Sequence, residues 1–121
     1  MIGRRILRRS ECAPLSDIIW IRVADATQVS EGEALAIEAG RLRLGLFRVE
    51  GMLFCIDNIC THAHALLTEG WLEGHTIECP LHAGQFDLRT GCGMGPPIAR
   101  DVQTYPVREE DGGVLIGVPH A

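Results

Sequence analysis

Two short segments, each with one cysteine and one histidine, constrain this chain more than any other feature. The first is Cys60-Thr61-His62, and 16 residues separate it from the second, Cys79-Pro80-Leu81-His82. Thiolate sulfur and imidazole nitrogen are ligands that suit zinc and iron–sulfur centres. Both segments lie in stretches that lack strand alternation, residues 58–72 and 79–97. We therefore expect a fold in which two loops turn toward one shared metal site.

The spacing within each segment bears on which metal is bound. A structural zinc site usually takes its cysteines from a C-x2–4-C pair and its histidines from a separate pair. Here each segment mixes one cysteine with one histidine. Two irons, one held by both cysteines and the other by both histidines, fit these mixed pairs better. A zinc-binding module that mediates protein contacts stays open as an alternative.

The rest of the chain has the pattern of an antiparallel β fold. Glycine turns recur every 8 to 12 residues between short apolar runs, and no window shows a clean helical period. In the run that begins at Leu42 the alternation slips by one residue at Leu46-Phe47, which predicts either a bulge or burial on both faces. The predicted strands are Ile18 to Val23, Ala34 to Glu38, Leu42 to Glu50, Met52 to Ile56, His75 to Glu78, Val102 to Arg108 and Val114 to Val118.

Charge and hydropathy exclude two classes of partner. The net charge is −5, and four of the 11 basic residues, all arginine, fall within the first nine positions. The remaining acidic body argues against nucleic acid, because phosphate binding needs clustered positive charge. The longest apolar run, Met52 to Ile56, is far shorter than the roughly 20 residues of a membrane span.

Localisation and domain limits follow from the N-terminus and the cysteines. The first arginines are not followed by the apolar stretch of an export signal, and five cysteines are a poor disulfide framework. We expect a cytoplasmic protein with a basic tail at residues 1–14 and one domain at residues 15–121.

The two metal-binding segments and their surroundings resemble Rieske proteins. Residues 60–62 and 79–87 are similar to the two cluster-binding motifs of that family, and the resemblance extends from Trp20 to Val118. The flanking segments resemble those of the small Rieske ferredoxins of bacterial ring-hydroxylating dioxygenase systems. These segments are residues 46–51, 55–58, 67–70, 96–97 and 105–107, with the turn at Asp111-Gly112.

This resemblance implies an all-β Rieske iron–sulfur fold. An antiparallel, β-sandwich-like base would carry an inserted small cluster-binding subdomain near residues 57–98. One 2Fe–2S cluster per chain is implied, with Cys60 and Cys79 on the inner iron and His62 and His82 on the outer iron near the tip. Pro96-Pro97 would form a third loop that shields the cluster from water.

The function implied is that of an electron carrier and not of an enzyme. Such a ferredoxin passes single electrons from an NADH-dependent flavoprotein reductase to a terminal aromatic-ring dioxygenase or hydroxylase, and serves the catabolism of aromatic hydrocarbons. Transient docking of both partners is expected near His62 and His82. The alternative is a Rieske-like small subunit of a larger oxidoreductase such as nitrite reductase. Ala65 and Leu81 replace the bridging cysteines of respiratory Rieske proteins, so a low potential, about −150 mV, is expected.

Several residues near the motifs have plainer interpretations. Cys55 is predicted to be a buried core thiol and Cys92 a loop residue. Trp71 is expected to pack under the first loop, with a docking contact as the alternative, and Phe86 to pack beneath the second loop. The histidines at 64, 75 and 120 are expected at the surface, and the acidic side chains of Glu69, Glu73, Glu78 and Asp87 to form a solvated face or a docking surface.

Overall fold

The computed structural model describes residues 18–61, 65–81, 84–94 and 100–119. Predictions about the tail at 1–14, His62, His64, His82, Pro96-Pro97 and His120 fall outside these ranges. The strands are β1 (Ile18–Asp25), β2 (Ala34–Ala39), β3 (Leu42–Val49), β4 (Met52–Asp57), β5 (Trp71–Glu73), β6 (Thr76–Glu78), β7 (Gln85–Asp87), β8 (Gly93–Met94), β9 (Thr104–Tyr105), β10 (Val107–Glu110) and β11 (Gly113–Pro119). Short 3-10 turns cover Ala26–Gln28 and Leu67–Glu69.

These strands form three antiparallel sheets, which confirms the predicted all-β fold. The outer sheet has the order β1-β11-β10, the central sheet β2-β3-β4-β9, and the third sheet, called here the site sheet, β5-β6-β7-β8. The site sheet is built from residues 71–94, inside the predicted subdomain at 57–98, whose limits stay a prediction. The described residues include no helix with the length and apolar character needed to cross a bilayer.

The central sheet is buried on both faces. Leu44 and Leu46 of β3 pack in one core cluster with Val114 and Ile116 of the outer sheet. Phe47 points into a second core cluster, which also contains residues of the site sheet and its loops. β3 keeps continuous register with both neighbours, so the slip in its pattern reflects burial on both faces and not a bulge. The register shift lies in β1 instead, between Arg22 and Ala24.

Two parts of the sequence prediction need correction. The stretches expected to be loops contain the short strands β5, β7 and β8, because two or three paired residues are too few to show an alternating pattern. The single strand predicted from Val102 to Arg108 is two strands, β9 and β10, in different sheets. The chain changes sheets at Pro106, which has no N–H for a ladder hydrogen bond.

One arginine ties the outer and central sheets together. The Arg48 side chain leaves β3 and donates from Nε to the Val29 carbonyl oxygen at 2.6 Å and from Nη2 to the Ala26 carbonyl oxygen at 3.2 Å. It also donates to the carboxylate of Glu109 on β10 and to the Gly51 carbonyl. Because most of its donors are paired, this largely buried cation connects the outer and central sheets. It lies apart from the predicted metal site.

Candidate metal centre

Cys60 and Cys79 lie in the same core cluster, although 18 residues separate them in the chain. Both thiols are buried, and Phe86 and Leu67 pack in the same cluster. Cys60 follows the end of β4, and Cys79 follows the end of β6. The fold thus brings the two predicted sulfur ligands to one region, between the central sheet and the site sheet.

Each cysteine begins a loop that is closed by a backbone hydrogen bond. The Cys60 N–H donates to the carbonyl oxygen of Ala65 at 2.9 Å, and the Cys79 N–H donates to that of Gly84 at 2.6 Å. Both bonds join a cysteine to the residue five positions later. His62 and His82 themselves lie outside the described residues, but each falls in sequence within one of these two closed loops.

Asn58 anchors the first loop to the central sheet. Its buried side chain donates from Nδ2 to the Thr68 hydroxyl at 3.0 Å and accepts from the Thr68 N–H at 2.8 Å. Its backbone N–H donates to the Arg43 carbonyl, and its carbonyl accepts from the Leu67 N–H. Both sides of the loop are therefore fixed to one buried amide, with its polar groups satisfied.

The second loop connects two strands of the site sheet. Glu78, the last residue of β6, pairs with Gln85, the first residue of β7, and the Gln85 Nε2 donates to a Glu78 carboxylate oxygen at 3.1 Å. This hairpin presents Pro80 and Leu81 at its turn, immediately before His82. The loop is short and its base is paired, so the positions next to Cys79 are held firmly.

A third stretch of chain is attached to the first loop. The Thr61 hydroxyl donates to the Arg100 carbonyl at 2.8 Å, and the Asp101 carboxylate accepts from the Gly93 N–H at 2.9 Å. The Val102 N–H donates to Gly91, where a Cβ would overlap the Val102 carbonyl oxygen. These contacts bring Arg100 beside the first loop and Asp101 beside β8. The shielding role of Pro96-Pro97 stays a prediction, because those residues lie outside the described ranges.

The other cysteines of the described chain lie apart from this pair. Cys55 is buried in the core on the opposite face of the central sheet, as predicted, and its burial raises the pKa of its thiol. Cys92 is exposed and free in the segment before β8, also as predicted. Among the residues described, no group of three or more histidine, cysteine and acidic side chains is placed to hold another metal ion.

Two predictions about the surroundings are wrong in part. Trp71 was expected to pack under the first loop, but its side chain is exposed, because it lies on the outward face of the edge strand β5. His75 is half-buried, and its ring meets Phe54 edge-on with centroids 5.5 Å apart. Phe86 is fully buried beneath the second loop, as predicted.

The residues that hold the loops in place carry no signal in the sequence that identifies them. Thr61 contacts a residue 39 positions away and Asp101 one that is 8 positions away, and no local pattern marks either contact. Gly70 has a φ of −88°, which any residue can adopt, so its role is steric. A Cβ at Gly70 would overlap the carbonyl oxygen of Glu78, so only glycine lets the start of β5 approach β6 so closely.

The chain is similar in sequence to one known protein family and to several individual proteins. The family model of the Rieske [2Fe-2S] domain matches residues 19–106. The naphthalene 1,2-dioxygenase system ferredoxin component of Pseudomonas putida is 40% identical over 97 residues, which are 80% of this chain and 93% of that protein. A similar identity, 39% over 97 residues and the same shares of each chain, is found with the ferredoxin component of the naphthalene 1,2-dioxygenase/salicylate 5-hydroxylase systems of a Ralstonia species.

Solved structures agree with these relatives. The ferredoxin of Sphingomonas yanoikuyae B1 superposes with a TM-score of 0.78 at 40% identity, over 82% of this chain and 98% of that one. A chain of the complex of reduced oxygenase and oxidized ferredoxin in carbazole 1,9a-dioxygenase gives 0.76 at 31% identity, over 81% and 92%. A nitrite reductase small subunit from Mycobacterium tuberculosis gives 0.74 at 17% identity, over 84% and 96%, which shows a shared fold alone.

Proposed function

The chain belongs to the Rieske [2Fe-2S] domain family, and on this premise we propose that it is a ferredoxin that carries single electrons to a terminal oxygenase. Its cofactor is one 2Fe–2S cluster. The observation that carries the proposal is the 40% identity to a dioxygenase ferredoxin component over 93% of that protein's length. A match of this extent leaves little of such a ferredoxin without a counterpart in this chain.

Four residues are proposed as the cluster ligands. Cys60 and Cys79 would bind the inner iron, and His62 and His82 the outer iron. The fit is supported by two buried cysteines in one core cluster and by the backbone hydrogen bonds that close the two loops. When bound, the cluster supplies the one-electron exchange, and neutral imidazoles in place of two thiolates make reduction easier.

The residues around the proposed ligands exclude water from the site and hold its loops in position. Apolar side chains such as Leu67 and Phe86 keep water from the sulfur ligands, and backbone hydrogen bonds hold Cys60 and Cys79 in their loops. A rigid site lowers the structural change that accompanies each electron transfer. The proposed role is that of an electron carrier. We propose neither a catalytic residue nor a substrate site for the chain.

The proposed electron source is an NADH-dependent flavoprotein reductase, and the proposed acceptor is the terminal oxygenase of an aromatic-ring dioxygenase or hydroxylase system. The names of the relatives support this assignment, since they are ferredoxin components of dioxygenase systems, and one solved relative is a complex with an oxygenase. Docking near His62 and His82, and location in the cytoplasm with these partners, complete the proposal. The nitrite reductase alternative rests on a fold likeness at 17% identity and is less supported.

A stepwise reconstitution tests this function. The purified protein is mixed with NADH, the flavoprotein reductase of the Pseudomonas putida naphthalene dioxygenase system, and one terminal oxygenase. The naphthalene and carbazole dioxygenases serve as the two oxygenase probes. We expect reduction of the cluster by one electron per chain, followed by reoxidation when an oxygenase is added, both read from visible absorbance.

The matched control is a Cys79→Ser chain, which lacks one proposed ligand and should neither gain nor pass electrons. Turnover of NADH and product formation should both require the wild-type chain. A cluster that is reduced but is reoxidised by neither oxygenase would contradict the proposed acceptor. Product formation by the chain alone, without an oxygenase, would contradict the role of a carrier.

A further inference from the structure

The outward face of the site sheet carries one continuous row of side chains. Trp71 pairs with Glu78, Glu78 with Gln85, and Gln85 with Met94, one residue from each of the four strands. Directly paired residues of antiparallel strands point to the same face. The next row, which contains Ile77 and Phe86, is buried in the core. The row from Trp71 to Met94, called here the docking row, therefore faces outward and spans about 14 Å, three strand spacings.

Both ends of the docking row are apolar and exposed. Trp71 is 65% exposed and Met94 43% exposed. With Leu81 on the second loop, they are three of the five large apolar side chains that stand exposed among the described residues. The other two, Ile19 and Met52, lie on the outer and central sheets. Trp71 and Met94 thus place two exposed apolar groups on one face of the site sheet, and such groups mark an interaction surface.

The charge on this face is acidic. Glu78 lies in the middle of the docking row, and Glu73 and Asp87 lie on the same face of the sheet two residues along their strands. Asp87 is paired with Arg89, so the face keeps a net negative charge from Glu73 and Glu78. Such a surface fits a partner that presents basic side chains around an apolar recess.

The row also borders the metal site. Glu78 immediately precedes Cys79, and Gln85 immediately follows Gly84, whose carbonyl closes the second loop. A partner that covers the row comes within a few residues of the cluster. Gly70 helps to hold Trp71 in place, since its lack of a Cβ lets β5 lie against Glu78.

From these observations we infer that the docking row binds the terminal oxygenase, with Trp71 as its main apolar contact and Glu78 as its charged contact. The inference rests on the proposed function and adds to it the residues and the chemistry of the partner surface. Two observations favour an electron-transfer partner. The docking row is continuous with the loop that holds Cys79, and the face that carries the row is acidic. One solved relative is a complex of a ferredoxin with its oxygenase, and this favours the oxygenase as the partner.

The experiment measures the second-order rate of electron transfer from the reduced chain to the oxidised oxygenase that accepts electrons from the wild type. Trp71→Ala should lower this rate about tenfold and Met94→Ala about threefold, as truncation of central interface contacts does. Glu78→Gln should lower it about threefold at low salt, with the difference vanishing at high salt. The matched controls are Met52→Ala, at a residue 63% exposed, and Ile19→Ala, at one 41% exposed.

The rate of reduction by the flavoprotein reductase is measured in parallel, together with the reduction potential and visible spectrum of each variant. We expect these three readouts to stay at wild-type values in Trp71→Ala and Met94→Ala, which separates docking from damage to the site. Glu78→Gln removes a charge beside Cys79 and should also raise the reduction potential, so the inference is judged on the first two variants. Equal oxygenase rates for Trp71→Ala, Met94→Ala and the two controls would overturn the inference while leaving the proposed function intact. A loss confined to the reductase step would overturn the choice of occupant. Failure of the wild type to reduce any oxygenase would instead overturn the proposed function.

Discussion

The outer and central sheets, called here the base, have much longer strands than the site sheet. β1 and β3 of the base have 8 residues each, whereas β5, β6 and β7 have 3 and β8 has 2. The base packs its own core between two sheets. The core of the site sheet is shared with the face of the central sheet and includes both cysteines of the site.

This difference indicates that the two regions depend on different interactions. Strands of two or three residues have few ladder hydrogen bonds and are not stable alone in water. We therefore expect the site sheet to need the loops, the apolar cluster around Phe86 and the bound metal group to keep its shape. The base has long ladders of hydrogen bonds between strands, and Arg48 connects its two sheets. It should therefore stay folded without the cluster. The predictions below test this division.

The largest expected effect is that of removing the cluster. In Cys79→Ala, the opening free energy of amides in the site sheet should fall by at least about 3 kcal/mol, because metal binding and folding are coupled in small sites. Amides of β3 and β11 should keep most of their protection. Hydrogen exchange by mass spectrometry resolves the two regions, and equal loss in both would show that the base also depends on the metal.

Gly70→Ala should have the next largest effect. A Cβ there would overlap the Glu78 carbonyl oxygen, and the backbone shift should cost about 3 kcal/mol of the free energy of unfolding. Gly32→Ala is the control, since Gly32 has a φ of +78° and open space around it and should cost only about 1 kcal/mol. Denaturant unfolding measures both, and a smaller cost at Gly70 than at Gly32 would contradict the steric role.

Arg48→Met should weaken the base without touching the site. It removes the donors to the carbonyl oxygens of Val29 and Ala26 and should cost about 2 kcal/mol of the free energy of unfolding. The cluster spectrum and iron content should be unchanged. Arg22→Met, which removes only an exposed ion pair with Asp25, should change the stability by less than about 0.5 kcal/mol. Loss of cluster in Arg48→Met would show that the two regions are not independent.

The smallest expected effect is a pH dependence at Asp87 in the site sheet. Hydrogen bonds from Arg89 lower the pKa of the Asp87 carboxyl below its ordinary 3.8. Its contribution is therefore fully present above the unfolded pKa and is lost as pH falls through the lower folded value. Asp87→Asn should cost about 0.5 kcal/mol at pH 7 and less at pH 3. Denaturant titrations at the two pH values measure it, and an equal cost at both would contradict the ion pair.

The strands of the base could be predicted well from the sequence, and the surroundings of the site less well. Long runs such as β3 and β11 show their alternation because every second side chain meets a core. β5 and β8 have too few residues for a pattern, so they were assigned to loops. The slip at Leu46-Phe47 predicts either a bulge or burial on both faces. Only the position of the site sheet, on the second face of the central sheet, shows that both faces are buried.

Within the site, the sequence motifs predict four ligand residues, and the structure places two of them, Cys60 and Cys79, in one core cluster; their role as ligands stays a prediction. The exposure of Trp71 could not be read from its neighbours, since an aromatic residue beside acidic ones fits either packing or docking. The contact of Thr61 with Arg100 joins residues 39 positions apart, and no local pattern predicts such a pairing. The steric role of Gly70 could not be predicted either, because the sequence shows a glycine and not which atom lies against it.

The most direct test of the central claim is the metal content of single-ligand variants. Wild type and the controls Cys92→Ser and His75→Asn should contain two irons and two labile sulfides per chain and take up one electron. Variants with alanine in place of Cys60, His62, Cys79 or His82 should each lose the cluster. Zinc in place of iron in the wild type, or an intact cluster in any of the four variants, would contradict the proposed site.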